Sequence, residues 1–344
     1  MQKYQEATND IILALRAFSR SIDSSNGYSG DMSSLIHVTS NLKLVNLGYW
    51  EHIIRSELND SLYSTTQSKW TRWFIPAPKL TWLDIVSADG YKREKSLRAI
   101  SKDGAPNAFS LALAVRRLND WVPQVRTAAR EVLPSLLNST EPQYVVEVLC
   151  MLLMNWHSWG KIEETDKQIF LDMVIPKEMA LLLKSRLISS TSGPIPSLLS
   201  QIGRTDILDN HLNEIASDAI QPYVRAKAYR SLFEGRITWV KAREWQWVDK
   251  YYGEKKLIPI IGERKIDVQM PFLELLSRSA DDQSPIVRQV SAEFLIRNIE
   301  NLGVKTRAFA EKFAADKSSN VREQGNFVLR KLDDKTLDNH IEDN

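Results

Sequence analysis

Apolar positions along this chain recur in steps of three and four, not two. In "DWVPQVRTAAREVL" (Asp120 to Leu133) a valine, a small residue four later and a leucine four beyond that fall on one side of a 3.6-residue helix. The pattern returns in "AIQPYVRAKAYRSL" (Ala219 to Leu232), "DQSPIVRQVSAEFL" (Asp282 to Leu295) and "DKSSNVREQGNFVL" (Asp316 to Leu329). The shared order is D-x-x-P-x-V-R-x-x-small-x-x-x-L. Ala219 replaces the acid in the second copy, and Ser319 replaces the proline in the fourth.

Each position has a physical reason. A proline in the first helical turn gives up an N–H that has no intrahelical acceptor there, so Pro123, Pro222 and Pro285 predict helix starts. Val125, Ala129 and Leu133, with their counterparts in the other copies, predict a buried face that a neighbouring helix approaches closely at the small residue. The aspartate ahead of the helix complements its positive end and can face an arginine of a neighbouring copy. The motif arginines Arg126, Arg225, Arg288 and Arg322 are therefore read as structural.

Upstream of the first copy, "APNAFSLALAVRRL" predicts a helix that pairs antiparallel with "PQVRTAAREVLPSLL" across the turn Asn119 to Val122. A helix, a short turn and a second helix carrying this motif together resemble the HEAT repeat of the HEAT/armadillo α-solenoids. The resemblance spans roughly Asp89 to Asp334 and weakens at "GYKREKSLRAI", where Arg93, Ser96 and Ile100 keep the register. It implies an all-α fold: an α-solenoid of antiparallel helix pairs with irregular insertions, exposing long surfaces for large partners.

The motif valines are 99, 63 and 34 residues apart, and only the last interval equals one compact repeat. The longer gaps predict irregular units or insertions. Helices are expected near Pro142 to Trp156, Lys167 to Leu187 (broken or kinked at Pro176) and Asp206 to Asp218, with "STSGPIPS" as a turn-rich connector. After Leu232, the stretch containing "TWVKAREWQW" predicts a helix, then an irregular insertion, before the array resumes at Pro271. The organisation read from the sequence is a capping region with a Trp-rich linker over 1–88, the repeat array over 89–334, and an acidic tail over 335–344.

Composition agrees with a helical globular chain: of 344 residues, 43% are hydrophobic and 26% charged, and Gly and Pro number only 13 each. The single cysteine, Cys150, can form no intrachain disulfide, and no run is long and apolar enough for a membrane span or signal sequence. A reducing, cytoplasmic setting is expected, with no membrane association.

The net charge of +2 hides alternating zones: +7 over residues 69–130, −6 over 131–220 and +5 over 221–267. Both basic zones hold tryptophan clusters. "SKWTRWFIPAPKLTW" carries Trp70, Arg72 and Trp73, and "TWVKAREWQW" carries Trp239, Lys241, Arg243, Trp245 and Trp247. On a helix, Trp239, Arg243 and Trp247 share a face at i, i+4, i+8, so that a guanidinium lies between two indoles. One reading is a partner-binding surface formed by Trp239, Lys241, Arg243, Trp247, Trp70, Arg72 and Trp73. The other is internal packing, with cations covering buried rings.

No phosphate-binding loop, dinucleotide fingerprint or nucleophile elbow occurs, and the five histidines show no ligand spacing. No cofactor and no metal are expected. The sequence reading is a noncatalytic binding or assembly subunit with a protein partner. The alternative is a nucleic-acid-binding protein, with DNA glycosylase-like activity as its enzymatic form, because HEAT-like glycosylases set a carboxylate beside tryptophans. Asp84, Asp120 and Asp249 are the nearest pairings, and none reproduces a transferable motif.

Overall fold

The computed structural model describes residues 2–24, 31–64, 81–100, 104–172 and 177–342. The described chain is mostly helical and divides into two compact units, 1–173 and 174–344. The first contains α1 (Gln2–Ser24), α2 (Ser33–Ser40), α3 (Leu47–Ser64), α4 (Gly90–Ile100), α5 (Ala108–Arg116), α6 (Pro123–Asn138), α7 (Pro142–Asn155) and α8 (Glu164–Asp172). The second contains α9 (Lys177–Ser189), α10 (Ile195–Ile202), α11 (Leu212–Asp218), α12 (Pro222–Glu234), strands β1 (Arg236–Asp249) and β2 (Glu254–Lys265), then α13 (Phe272–Ala280), α14 (Pro285–Arg297), α15 (Lys305–Ala314) and α16 (Ser319–Glu342).

Pro123, Pro222 and Pro285 each open a helix, as their missing N–H groups predict. The motif faces are core. Val125, Ala129 and Leu133 are fully buried, as are Val287 and Leu295, and Val224, Ala228 and Val321 are equally enclosed. At Gly325, on α16, the α15 backbone passes so close that a Cβ would come within 2.7 Å of the Phe313 carbonyl carbon, which explains the smallest residue at that position. Neighbouring helices pack in the order α12, α14, α16, with α13 and α15 against α14 and α15 against α16.

Five arginines repeat one device, and it explains the order of the motif. Nη1 of Arg126 donates to the carbonyls of Asp120 and Trp121, six and five residues back, at 2.9 and 3.3 Å. Arg225 does the same to Ala219 and Ile220, Arg288 to Asp282 and Gln283, and Arg322 to Asp316 and Lys317. Arg93, in the degenerate copy, does so to Ser87 and Ala88. Each arginine thus ties the turn to the helix that follows it. Three of them also fork onto an aspartate of a later copy: Arg93 to Asp120 (2.9 and 2.8 Å), Arg225 to Asp282 (2.7 and 2.7 Å) and Arg288 to Asp316 (2.6 and 2.8 Å). The same aspartates accept the backbone N–H two residues on, from Val122, Ser284 and Ser318, closing the turn ahead of the proline or serine.

The expectation for residues after Leu232 needs correction: "ITWVKAREWQW" is strand, not helix. α12 ends at Gly235, whose φ of +61° is left-handed, and the chain turns into β1. β-Branched and aromatic residues then alternate with polar ones at period two, and a turn holding Gly253 at φ +70° returns the chain as antiparallel β2. The hairpin, 236–265, takes up 30 of the 57 positions that separate Asp282 from Arg225; the remaining 27 equal the separation of Asp120 from Arg93 and nearly match the 28 that separate Asp316 from Arg288. It is an insertion into an otherwise regular unit, and the helices resume at Phe272, directly after Pro271.

Elsewhere the expected helices occur with adjusted bounds. α8 and α9 occupy the stretch expected as one broken helix, α10 begins inside the expected connector, and α16 continues to Glu342 through most of the expected tail.

Truncating Arg288 removes a fork onto an aspartate whose side chain is 8% exposed. Arg288→Ala should destabilise the protein by about 1–3 kcal/mol in denaturant unfolding. The Arg288 hydrogen bond is the main cause that holds the Asp316 carboxyl below the ordinary aspartate range; burial opposes it and the Ser318 N–H assists. A carboxyl depressed in the folded state stabilises at neutral pH, and that contribution fades as pH falls below about 4. The loss of stability in acid should therefore be shallower in the variant.

Candidate functional site

The hairpin has two parts with different surroundings. Its stem is anchored. Ile237 is 1% exposed and lies against Gly203, where the absence of a side chain lets the strand approach. Lys227 Nζ, on α12, donates to the Thr238 carbonyl and hydroxyl at 3.2 and 3.1 Å, and burial pushes this ammonium below its ordinary range, with Arg230 acting the same way and Glu234 opposing. Gln201 Nε2 donates to the Val240 carbonyl at 3.2 Å. From β2, Arg264 forks onto Asp209 at 2.8 and 2.7 Å and donates to the carbonyls of Gly203 and Thr205.

Beyond the stem, residues 241–259 form an arm. Among the described residues, their side chains make no hydrogen bond or ion pair to any group outside the hairpin. The arm is also unusually apolar for exposed chain: Trp245, Trp247, Val248, Tyr251, Tyr252, Leu257 and Ile258 are all exposed, with Trp245 at 67% and Tyr251 at 89%. The cations Lys241, Arg243, Lys250, Lys255 and Lys256 outnumber the acids Glu244, Asp249 and Glu254.

Register decides which of the expected residues act together. Val240 pairs with Ile261 and Ala242 with Ile260, so Lys241 is an extra residue in β1, a bulge that shifts the alternation of everything beyond it. Trp239, opposite Gly262, belongs to the face carrying buried Ile237. Arg243, Trp245 and Trp247, opposite Pro259, Leu257 and Lys255, belong to the other face. The single aromatic-basic face expected for Trp239, Arg243 and Trp247 is therefore split. Trp239 is a packing residue: the Arg204 guanidinium lies over its ring at 5.6 Å, and its indole covers Gly262 so closely that a Cβ there would be 2.6 Å away. Trp247 is 47% exposed, with Lys255 Nζ 4.0 Å above its ring.

Trp70, Arg72 and Trp73 lie outside the described residues. Tyr251, Tyr252, Leu257 and Ile258, which the sequence reading passed over, carry much of the arm's exposed apolar surface. Their signal was Gly253 between two alternating runs.

No protein-family model matches the chain, and no curated protein is similar to it.

The three carboxylates nearest tryptophans all have structural partners. Asp84 caps a short 3-10 turn by accepting from Thr81 N, Asp120 holds Arg93 and Arg117, and Asp249 accepts from the N–H groups of Tyr251 and Tyr252 in the hairpin turn. Among the described residues there is no cluster of three His, Cys, Asp or Glu side chains placed to hold a metal ion, and no helix is long and apolar enough to cross a membrane.

Proposed function

We propose that the protein is a noncatalytic binding or assembly subunit, its helix pairs stacked as a HEAT-like α-solenoid, and that the arm 241–259 docks into a protein partner. The repeated arginine brace and the spacing of 27–28 positions between forked partners, once the hairpin between Arg225 and Asp282 is set aside, support the solenoid reading. The arm carries the functional reading. A two-stranded ribbon exposed on both sides gains little stability from its own packing, so the seven exposed large apolar side chains it carries cost solubility unless something covers them. Pro259, the lysines and the bulge at Lys241 guard its edges against simple strand addition. Recognition is thus expected through the side-chain faces, with aromatic anchors inside and a cationic rim outside, on an apolar groove edged by acids.

Replacing Trp245 and Trp247 together by serine tests this. Both rings are exposed, so melting should not change, while affinity for the copurifying partner should fall by about 2–4 kcal/mol, measured by calorimetry or surface-binding kinetics. Oligonucleotide mobility at low and moderate salt should be unaffected by either form of the protein. A shift that depends on Arg243 and Lys255 and weakens with salt would favour the nucleic-acid reading instead.

A further inference from the structure

A second feature lies in the first unit, away from the arm. A cleft of about 590 Å³ opens between α3, α4, the end of α5 and the connection from α5 to α6, lined by four arginines and two carboxylates. Glu51 and Asp120 are 4% and 7% exposed, and Arg93 and Arg117 are 4% each. Asp120 is taken by the Arg93 fork, by Arg117 Nη1 at 3.1 Å and by the Val122 N–H. Glu51 Oε1 accepts from Arg117 Nη2 and Arg55 Nη2, both at 2.6 Å, and its Oε2 lies 3.0 Å from Arg116 Nε.

Those bonds use the carboxylates and leave cationic donors over. Arg117 Nε is buried with no partner, and among the described residues neither Nη of Arg116 nor Nη1 of Arg55 has one. Four guanidiniums against two carboxylates leave a formal excess of +2 in the lining. Elsewhere the motif pairs are balanced, one arginine to one aspartate, as at Arg225–Asp282 and Arg288–Asp316. Burial pulls the Arg117 guanidinium below its ordinary value; Glu51 and Asp120 act against burial, and Arg93 acts with it. A buried cation so placed lacks sufficient negative charge around it. The lining also includes His52 and Trp121, the latter 80% exposed.

We propose that this cleft binds the phosphate dianion of a small organic phosphate, with the free donors of Arg116 and Arg55 as its ligands and Trp121 as a platform for a planar group attached to it. Two negative charges match the excess, and a phosphate presents acceptor oxygens suited to planar guanidinium donors. The cleft is far larger than a phosphate alone requires, and its remaining space reaches an exposed indole suited to stacking.

Calorimetric titration of the full chain at fixed ionic strength, with inorganic phosphate, ribose 5-phosphate and adenosine 5′-monophosphate, tests the assignment. All three should bind saturably, the adenosine ester most tightly. Arg116→Gln and Arg55→Gln, at partly exposed positions, should each weaken all three by about tenfold, the loss of one charge-assisted hydrogen bond. Trp121→Ala should remove only the advantage of the adenosine ester. Two variants guard against one that fails to fold, which circular dichroism would reveal. No saturable binding up to about 10 mM, or affinity unchanged in whichever arginine variant folds, would overturn the site. Equal affinity for the two esters would overturn the role of Trp121.

Discussion

Asp120→Asn should destabilise the first unit by about 3–5 kcal/mol, more than any other single substitution considered for that unit. The side chain keeps its shape but loses its charge, so Arg93, 4% exposed, is left without a carboxylate partner, and Arg117, equally buried, keeps only Glu51, which it shares with Arg116 and Arg55. Removing one member of a buried ionic cluster leaves an uncompensated charge in a medium that solvates it poorly. For a unit of 173 residues this corresponds to a lower melting midpoint by roughly 6–20 °C. Thermal unfolding followed by calorimetry should show the loss in the transition of the first unit. Arg93→Met should be costly alone, and the Arg93→Met, Asp120→Asn pair should cost less than the two single changes together, because they share one interaction. A variant melting like the parent would mean that water or rearrangement compensates the arginines, contrary to the enclosed network described above.

The helix starts and the buried faces were legible in the sequence because each rests on local chemistry. Pro123, Pro222 and Pro285 have no N–H to lose, and a valine, a small residue and a leucine at steps of four fit one helical stripe. The arginine and aspartate of the motif could be assigned a structural role for the same reason. What could not be read was which aspartate receives which arginine, since Arg225 reaches across an inserted hairpin.

The hairpin itself was misread through an ambiguity of spacing. Residues 239, 243 and 247 share a face at helical period, but even steps also share a face in a strand. Ile237, Thr238, Trp239 and Val240 are strand formers, and Gly253 marks the return, so period two was the better choice. The bulge at Lys241, which separates Trp239 from Arg243 and Trp247, has no sequence signal of its own. The arginine cleft was illegible because its charged members come from α3, α4, α5 and the connection between α5 and α6, and only the fold brings them together.

The largest functional effect is expected from removing the arm while keeping its stem. Val240 and Ile261 face each other across the hairpin, so replacing residues 241–260 by Asn-Gly joins them through a two-residue turn suited to antiparallel strands. The anchors Ile237, Thr238 and Arg264 remain, and the arm's side chains contribute no hydrogen bond or ion pair to the rest of the described chain. Stability should therefore change by less than about 1 kcal/mol. Binding should not survive, since the aromatic anchors are gone. The direct measurement is quantitative copurification of the partner with the parent and the shortened protein, beside their melting curves. Matching melting curves and loss of the partner are expected; a partner retained at full affinity by a shortened protein that melts normally would show that the arm is not the docking element.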